Sequence, residues 1–201
     1  MNILEKLEAA AHRAYKRGLQ TGNGGNLSSR SINGNTMIVK SSGGSFADCD
    51  SNGAGFIETD FSGNPVEGAT GRPTREVFLH GLMYSISEKI GGVVHTHSPY
   101  SIAWSYGKKP MPQVTKHVEL KMGCDIPVLD VQSASVQPEN EEEIRALFLK
   151  NPDLKAFILV GHGIVAVGRD VLEAEHNAEL VEETAQILIL KRICEKLDIY
   201  Y

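Results

Sequence analysis

The chain is 201 residues long, 41% apolar and 22% charged, with a formal net charge of −5 at neutral pH. This length suits one globular domain, spanning residues 1–201, that buries its core without disulfide staples. No apolar run approaches the roughly 20 residues needed to cross a bilayer, and no dense basic block offers a surface to nucleic acid.

The opening stretch, MNILEKLEAAAHRAYKRG, sets Ile3, Leu4, Leu7, Ala11 and Ala14 on one face and charges on the other. That spacing predicts an amphipathic helix ending near Gly18. Its charges interrupt any apolar run that would read as a secretion signal. A glycine-rich segment, TGNGGNLSSR (21–30), follows, and then a short strand, TMIVK (36–40), leads into a polar turn, SSGGSFADCD. Residues 56–61 and the Asn64-Pro65 region read as a hairpin. Thr74 opens a helix to about Lys89, in which Phe78, Leu82 and Ile86 recur at four-residue spacing and Glu76 lies in the first turn. The strand GGVVHTH (91–97) comes next. Ser98-Pro99 reads as an N-cap followed by proline at the first helical position, with a helix to about Tyr106. DIPVLDV reads as a strand, PENEEEIRALFLKN as a helix, and KAFILV and GIVAVG as strands flanking Gly161-His162-Gly163. Asp170 and Glu173 resemble a capping box that opens a long helix toward Lys196.

Two consecutive strands near the end imply an antiparallel pair. The order predicts an α/β fold, a three-layer α/β/α arrangement around a central mixed, mostly antiparallel sheet. Cys49, Cys124 and Cys194 are far apart, odd in number and free of any C-x-x-C pair, which fits a reducing, cytoplasmic setting.

The chemistry gathers around histidines. In a strand, residues two apart share a face, so His95 and His97 project side by side and their rings can converge on one ion. His162 follows an apolar strand and is flanked by two glycines, which let the backbone turn tightly or approach a ligand. Three imidazoles with an open position are the mark of a catalytic zinc site. Glu76 fits two roles: compensation of a helix dipole, or a carboxylate that ligates the metal or acts as a base beside it. His12 and His176 read as solvated, His80 as structural, and His117 fits no one role. GNGGNLS, SSGG and RPTRE each supply hydroxyls, amides or backbone N–H groups suited to phosphate. Neither a Walker motif nor a strand-linked G-x-G-x-x-G is present, which argues against nucleotide binding.

GGNLSSR, SSGG, RPTREVFLH, GGVVHTHS and GHGIVAVG, in this order, resemble the class II aldolase/adducin family over nearly the whole chain. The resemblance implies a zinc enzyme acting on a sugar phosphate, and a homotetramer with active sites at subunit boundaries. It implies His95, His97 and His162 as Zn2+ ligands, with Glu76 as a further ligand and as the base. Asn26, Ser42, Gly43, Thr74 and Arg75 fall on phosphate-binding positions, although the family tends to carry small hydroxyl residues where Arg75 stands. The implied reaction is aldolase cleavage of a ketose 1-phosphate, such as L-fuculose 1-phosphate, to dihydroxyacetone phosphate and an aldehyde. Zinc serves as Lewis acid, and Glu76 exchanges the carbon proton. Fuculose-type aldolases place a tyrosine in the stretch that here reads PQVTKHVELKMG. Glu119 stands there instead, where related 4-epimerases carry an aspartate and methylthioribulose-phosphate dehydratases a glutamate. Glu119 is therefore a second candidate acid or base, or a solvated surface acid. Tyr200 and Tyr201 are candidates to lend a hydroxyl to a neighbouring site. Epimerase, dehydratase and sugar-acid phosphate decarboxylase are the alternative activities. The intact histidines argue against a non-catalytic adducin-type module, and the chain is too short for an amidohydrolase barrel.

Overall fold

The structure is a computed structural model that describes residues 1–199. Tyr200 and Tyr201 lie outside the described residues. Seven strands form one sheet: β1 (Asn26–Arg30), β2 (Thr36–Lys40), β3 (Phe56–Asp60), β4 (Gly92–Thr96), β5 (Val128–Leu129), β6 (Ala156–Leu159) and β7 (Gly163–Gly168). Their spatial order is β3-β2-β1-β4-β7-β6-β5. Every neighbouring pair is antiparallel except β5 and β6. The expected mixed, mostly antiparallel sheet is therefore present.

Alternation along the strands makes two cores. Val94, Ile158, Ile164 and Ala166 face one side, with α1 (Ile3–Lys16), α4 (Lys116–Met122) and α6 (Val171–Lys196). Val93, Phe157, Leu159, Val165 and Val167 face the other, with α2 (Val77–Ile86) and α5 (Glu141–Lys150). This is the period of two expected of a sheet covered on both faces. Phe157 and Leu159 are fully buried, and each such side chain contributes about 1.5–3 kcal/mol through apolar area removed from water. Among the described residues no helix is long and apolar enough to cross a membrane, and all three cysteines are free.

Several expectations needed adjustment. Residues 26–30, read only as the end of a glycine-rich segment, form β1, which lies inside the sheet with its serines buried. The segment 116–122 is helical, with Thr115 as N-cap and Gly123 in the left-handed region at its end. The hairpin after β3 is reduced to a tight turn with one bridge between Thr59 and Pro65 on the outer edge of β3, whose other edge pairs with β2. DIPVLDV yields a two-residue strand. The helix expected from Thr74 begins at Val77: Pro73 bridges Ser41, and the Thr74 N–H donates to the Lys40 carbonyl, which ties residues 73–76 to the end of β2. Glu76 thus occupies the cap position of α2.

Ser98 does precede α3 (Pro99–Ser105), but its hydroxyl donates to the Leu19 carbonyl. The buried Glu182 carboxylate of α6 accepts the N–H groups of Tyr100 and Ser101 in its place, each at 2.8 Å. A carboxylate there satisfies orphan donors and meets the positive end of the helix dipole. Asp170 caps α6 through the Glu173 N–H at 2.9 Å, while Glu173 reaches back to Arg169.

Candidate functional site

One end of the sheet collects the chemistry. The end of β4 carries His95, His97 follows one residue beyond the strand, and the β6–β7 turn carries His162. That turn is tight for a steric reason: a Cβ on Gly163, whose φ is +143°, would lie 2.0 Å from the Thr96 carbonyl oxygen. The Nε2 atoms of the three histidines converge, with His95 lying 3.2 Å from His97 and 3.3 Å from His162. Tetrahedral nitrogen ligands about 2.1 Å from a metal are about 3.4 Å apart, so the spacing fits an ion between the rings. His95 Nδ1 lies 2.9 Å from the Ile164 carbonyl. Because a carbonyl can accept but not donate, Nδ1 carries the proton and the Nε2 lone pair faces the cluster.

Burial is the main cause that keeps these rings neutral. It drives His95 well below the usual histidine value, lowers His97, and takes His162 to about 4. Neutral imidazole is the ligating form. His162 Nδ1 is buried with no hydrogen-bond partner among the described residues. An all-imidazole set suits zinc and also other first-row divalent ions.

Gln20 sets the position of His97. Its Oε1 accepts the His97 N–H at 2.8 Å. Gly24 passes so close that a Cβ there would lie 2.6 Å from the Gln20 amide nitrogen and 2.9 Å from His97 Nδ1. The glycines before β1 thus have a packing role beside the histidine cluster.

Glu76 is 5% exposed. Its Oε2 accepts the Val136 N–H at 3.2 Å, and its Oε1 lies 3.8 Å from His162 Nε2. Burial raises the carboxyl to about 7, against a smaller lowering by the Val136 N–H. With the histidine neutral, the contact to His162 is not an ion pair. A buried carboxyl with a raised affinity for its proton, beside such a cluster and a cavity, is a candidate acid–base group.

A cavity of about 390 Å³ opens beside Glu76, His97 and His162. Asn26, Ser42, Gly43, Thr74 and Arg75, all expected at a phosphate site, line it together. The backbone contributes less than their motifs suggest. The Ser42 N–H donates to the Arg72 carbonyl and that of Thr74 to Lys40. Their hydroxyls and the glycine N–H groups remain. Lys40 also lines the cavity, which sequence reasoning missed because a lysine at a strand end reads as solvated. Glu119 is not among the lining residues. It sits exposed in the first turn of α4, 2.8 Å from Lys116 Nζ. His12, His117 and His176 are exposed, and His80 is buried.

His80 positions Asn26. Its Nε2 lies 2.6 Å from Asn26 Oδ1, its Nδ1 lies 2.7 Å from Ser28 Oγ, and Ser28 Oγ lies 2.7 Å from the Tyr84 hydroxyl. Asn26 Oδ1 can only accept, so Nε2 bears the proton, Ser28 donates to Nδ1, and Tyr84 donates to Ser28. The Asn26 amide N–H groups are left for the cavity. Burial takes His80 to about 3, so the folded state binds no proton there while the unfolded chain binds one below about 6.5. The stability this group lends is present above that value and is lost as pH falls toward 3. The expected loss is roughly 1.4 kcal/mol per pH unit from this residue. Urea unfolding of the protein and of His80→Gln between pH 7 and 4 should show a shallower acid slope in the variant; parallel slopes would refute the assignment.

The chain matches the family described as Class II Aldolase and Adducin N-terminal domain over residues 5–189. It is 32% identical to the L-fuculose phosphate aldolase of Methanococcus maripaludis over 174 residues, covering 86% of this chain and 88% of that one. It is 30% identical over 178 residues to the 3-oxo-tetronate 4-phosphate decarboxylase of Haemophilus influenzae, covering 86% and 80%. The fold matches the crystal structure of L-fuculose-1-phosphate aldolase from Thermus thermophilus with a TM-score of 0.81 at 22% identity, over 96% of each chain.

Proposed function

Because the chain belongs to the class II aldolase and adducin family, we propose that it is a metal-dependent carbon–carbon lyase that cleaves a ketose 1-phosphate to dihydroxyacetone phosphate and an aldehyde. The observation that carries this reading is the convergence of three imidazole nitrogens, 3.2 and 3.3 Å apart, beside a buried carboxyl at the mouth of a polar cavity. His95, His97 and His162 would hold the divalent ion, whose contribution when bound is Lewis-acid chemistry at a carbonyl oxygen.

The chain's own groups do the rest. The cavity side chains Asn26, Ser42, Thr74 and Arg75 hold the phosphate and thereby fix the carbon chain relative to Glu76. Cleavage releases to solvent the proton of the hydroxyl on the departing carbon, which becomes the aldehyde, breaks the C–C bond and leaves the electron pair on the carbon next to the carbonyl. Glu76 Oε1, the oxygen not tied to Val136, is placed to deliver a proton to that carbon, and in the reverse direction it removes one. Glu119, outside the cavity lining, has no part in this reading.

A second reading is supported by the decarboxylase from Haemophilus influenzae, which is nearly as similar as the aldolase. Loss of carbon dioxide from a 3-oxo sugar-acid phosphate also leaves an electron pair beside a carbonyl, so the same Glu76 proton transfer serves. The test is a panel of ketose 1-phosphates, 3-oxo sugar-acid phosphates and ribulose 5-phosphate. Dihydroxyacetone phosphate, carbon dioxide and epimerised pentulose are measured separately. Dihydroxyacetone phosphate from at least one ketose is the expected result. Carbon dioxide alone would select the second reading, epimerised product alone would select an epimerase, and no product of any kind would refute all three.

A further inference from the structure

Two consecutive residues ahead of the glycine-rich loop clasp two consecutive residues of the histidine segment. The Leu19 carbonyl accepts the Ser98 hydroxyl at 2.9 Å, and Gln20 Oε1 accepts the His97 N–H at 2.8 Å. The second bond stands where the sheet stops. β4 last pairs with β1 at His95 and with β7 at Thr96, so both ladders end before His97. A buried side-chain oxygen takes the place of a strand neighbour.

The clasp is held rigidly. The Leu19 N–H donates to the Ala14 carbonyl at the end of α1, and the Leu19 side chain is buried. The Gln20 side chain, 3% exposed, uses both ends of its amide, since Nε2 donates to the Thr21 carbonyl at 2.8 Å. Oxygen must face the His97 donor and nitrogen the Thr21 carbonyl, so the amide has one orientation. The loop then closes over it. A Cβ on Gly25, at φ +62°, would lie 2.5 Å from Gln20 Oε1, and one on Gly24 would lie 2.6 Å from Nε2. Gln20 itself is absent from the cavity lining.

We propose that Gln20 is a positioning residue of the metal centre. It touches neither the ion nor the substrate. It fixes the backbone of His97, and with it the third imidazole, where the three nitrogens converge. Metal affinity and coordination geometry then depend on an amide outside the ligand set. The inference rests on the metal-dependent reading given above and adds a residue that shapes the centre from behind.

The test loads cobalt(II) into the full chain and into Gln20→Met, Gln20→Glu and Ser98→Ala. Visible absorption of the bound ion reports its geometry, and competition with a chelator reports its affinity. Methionine nearly keeps the volume and removes the acceptor. Gln20→Met should bind cobalt at least about 10-fold more weakly, with an altered spectrum. Gln20→Glu keeps an oxygen for the His97 N–H and should keep the spectrum. Ser98→Ala removes only the neighbouring clasp to Leu19 and should lower the melting temperature without moving spectrum or affinity. Gly25→Ala, whose methyl would meet the Gln20 side chain first, carries the same prediction as Gln20→Met if methionine prevents folding. A folded Gln20→Met or Gly25→Ala protein with unaltered affinity and spectrum would overturn the role of Gln20 and leave the metal-dependent reading intact. Equal effects of Ser98→Ala and Gln20→Met on the ion would overturn it too, since general loosening would then suffice. Failure of the unmodified protein to bind cobalt would overturn the metal-dependent reading and the inference with it.

Discussion

Exchange of His97 for alanine is expected to empty the metal centre while leaving the fold in place. His97 lies one residue beyond β4, is partly exposed, and contributes no strand pairing. Its backbone is held by Gln20 through the N–H, which alanine retains. The ring, however, supplies one of three converging nitrogens, and two imidazoles hold a divalent ion far less tightly than three. Metal analysis should fall from about one ion per chain to near zero, with melting temperature little changed when both proteins are compared without metal. Turnover should fall at least about 1,000-fold, because Lewis-acid stabilisation contributes several kcal/mol to the barrier. Unchanged metal stoichiometry in the variant would remove His97 from the centre.

Glu76→Gln separates proton transfer from metal binding. Glutamine nearly preserves the volume, and its carbonyl oxygen can still accept the Val136 N–H. It cannot exchange a proton with carbon. The expected variant keeps its metal and its affinity for phosphate but loses about 100- to 10,000-fold in turnover, with KM changed little. A variant that turns over normally would exclude Glu76 as the proton carrier. A variant that loses metal in parallel with activity would make it a ligand instead.

Much of this was legible in the sequence, and the unread parts share a cause. The H-x-H and G-H-G motifs could be read because a strand's period of two and the freedom of glycine act over a few residues. The amphipathic face of α1 and the apolar run of β6 were legible for the same reason. β1 was missed because Asn26, Ser28 and Ser29 are polar, and their burial depends on partners such as His80 and Tyr84 more than 50 positions away. The start of α2 was misplaced because a backbone tie to β2 overrides the local cap. Lys40 was invisible as a site residue because its burial depends on long-range packing that no local pattern encodes. Glu119 was read both as a candidate acid or base and as a solvated acid, and in the single chain it lies exposed beside Lys116.

The place of β4 in the sheet has one more consequence. On one side it joins the β1-β2-β3 meander, and on the other the β6–β7 hairpin. Asn26 belongs to the first half, His162 to the second, and His95 to the seam itself. An ion gripped by His95, His97 and His162 would therefore act as a rivet between chain segments more than 60 residues apart. Metal uptake would then report completed assembly: a half-zipped molecule would have no grip on the ion, and loading with metal should slow the parting of the two halves.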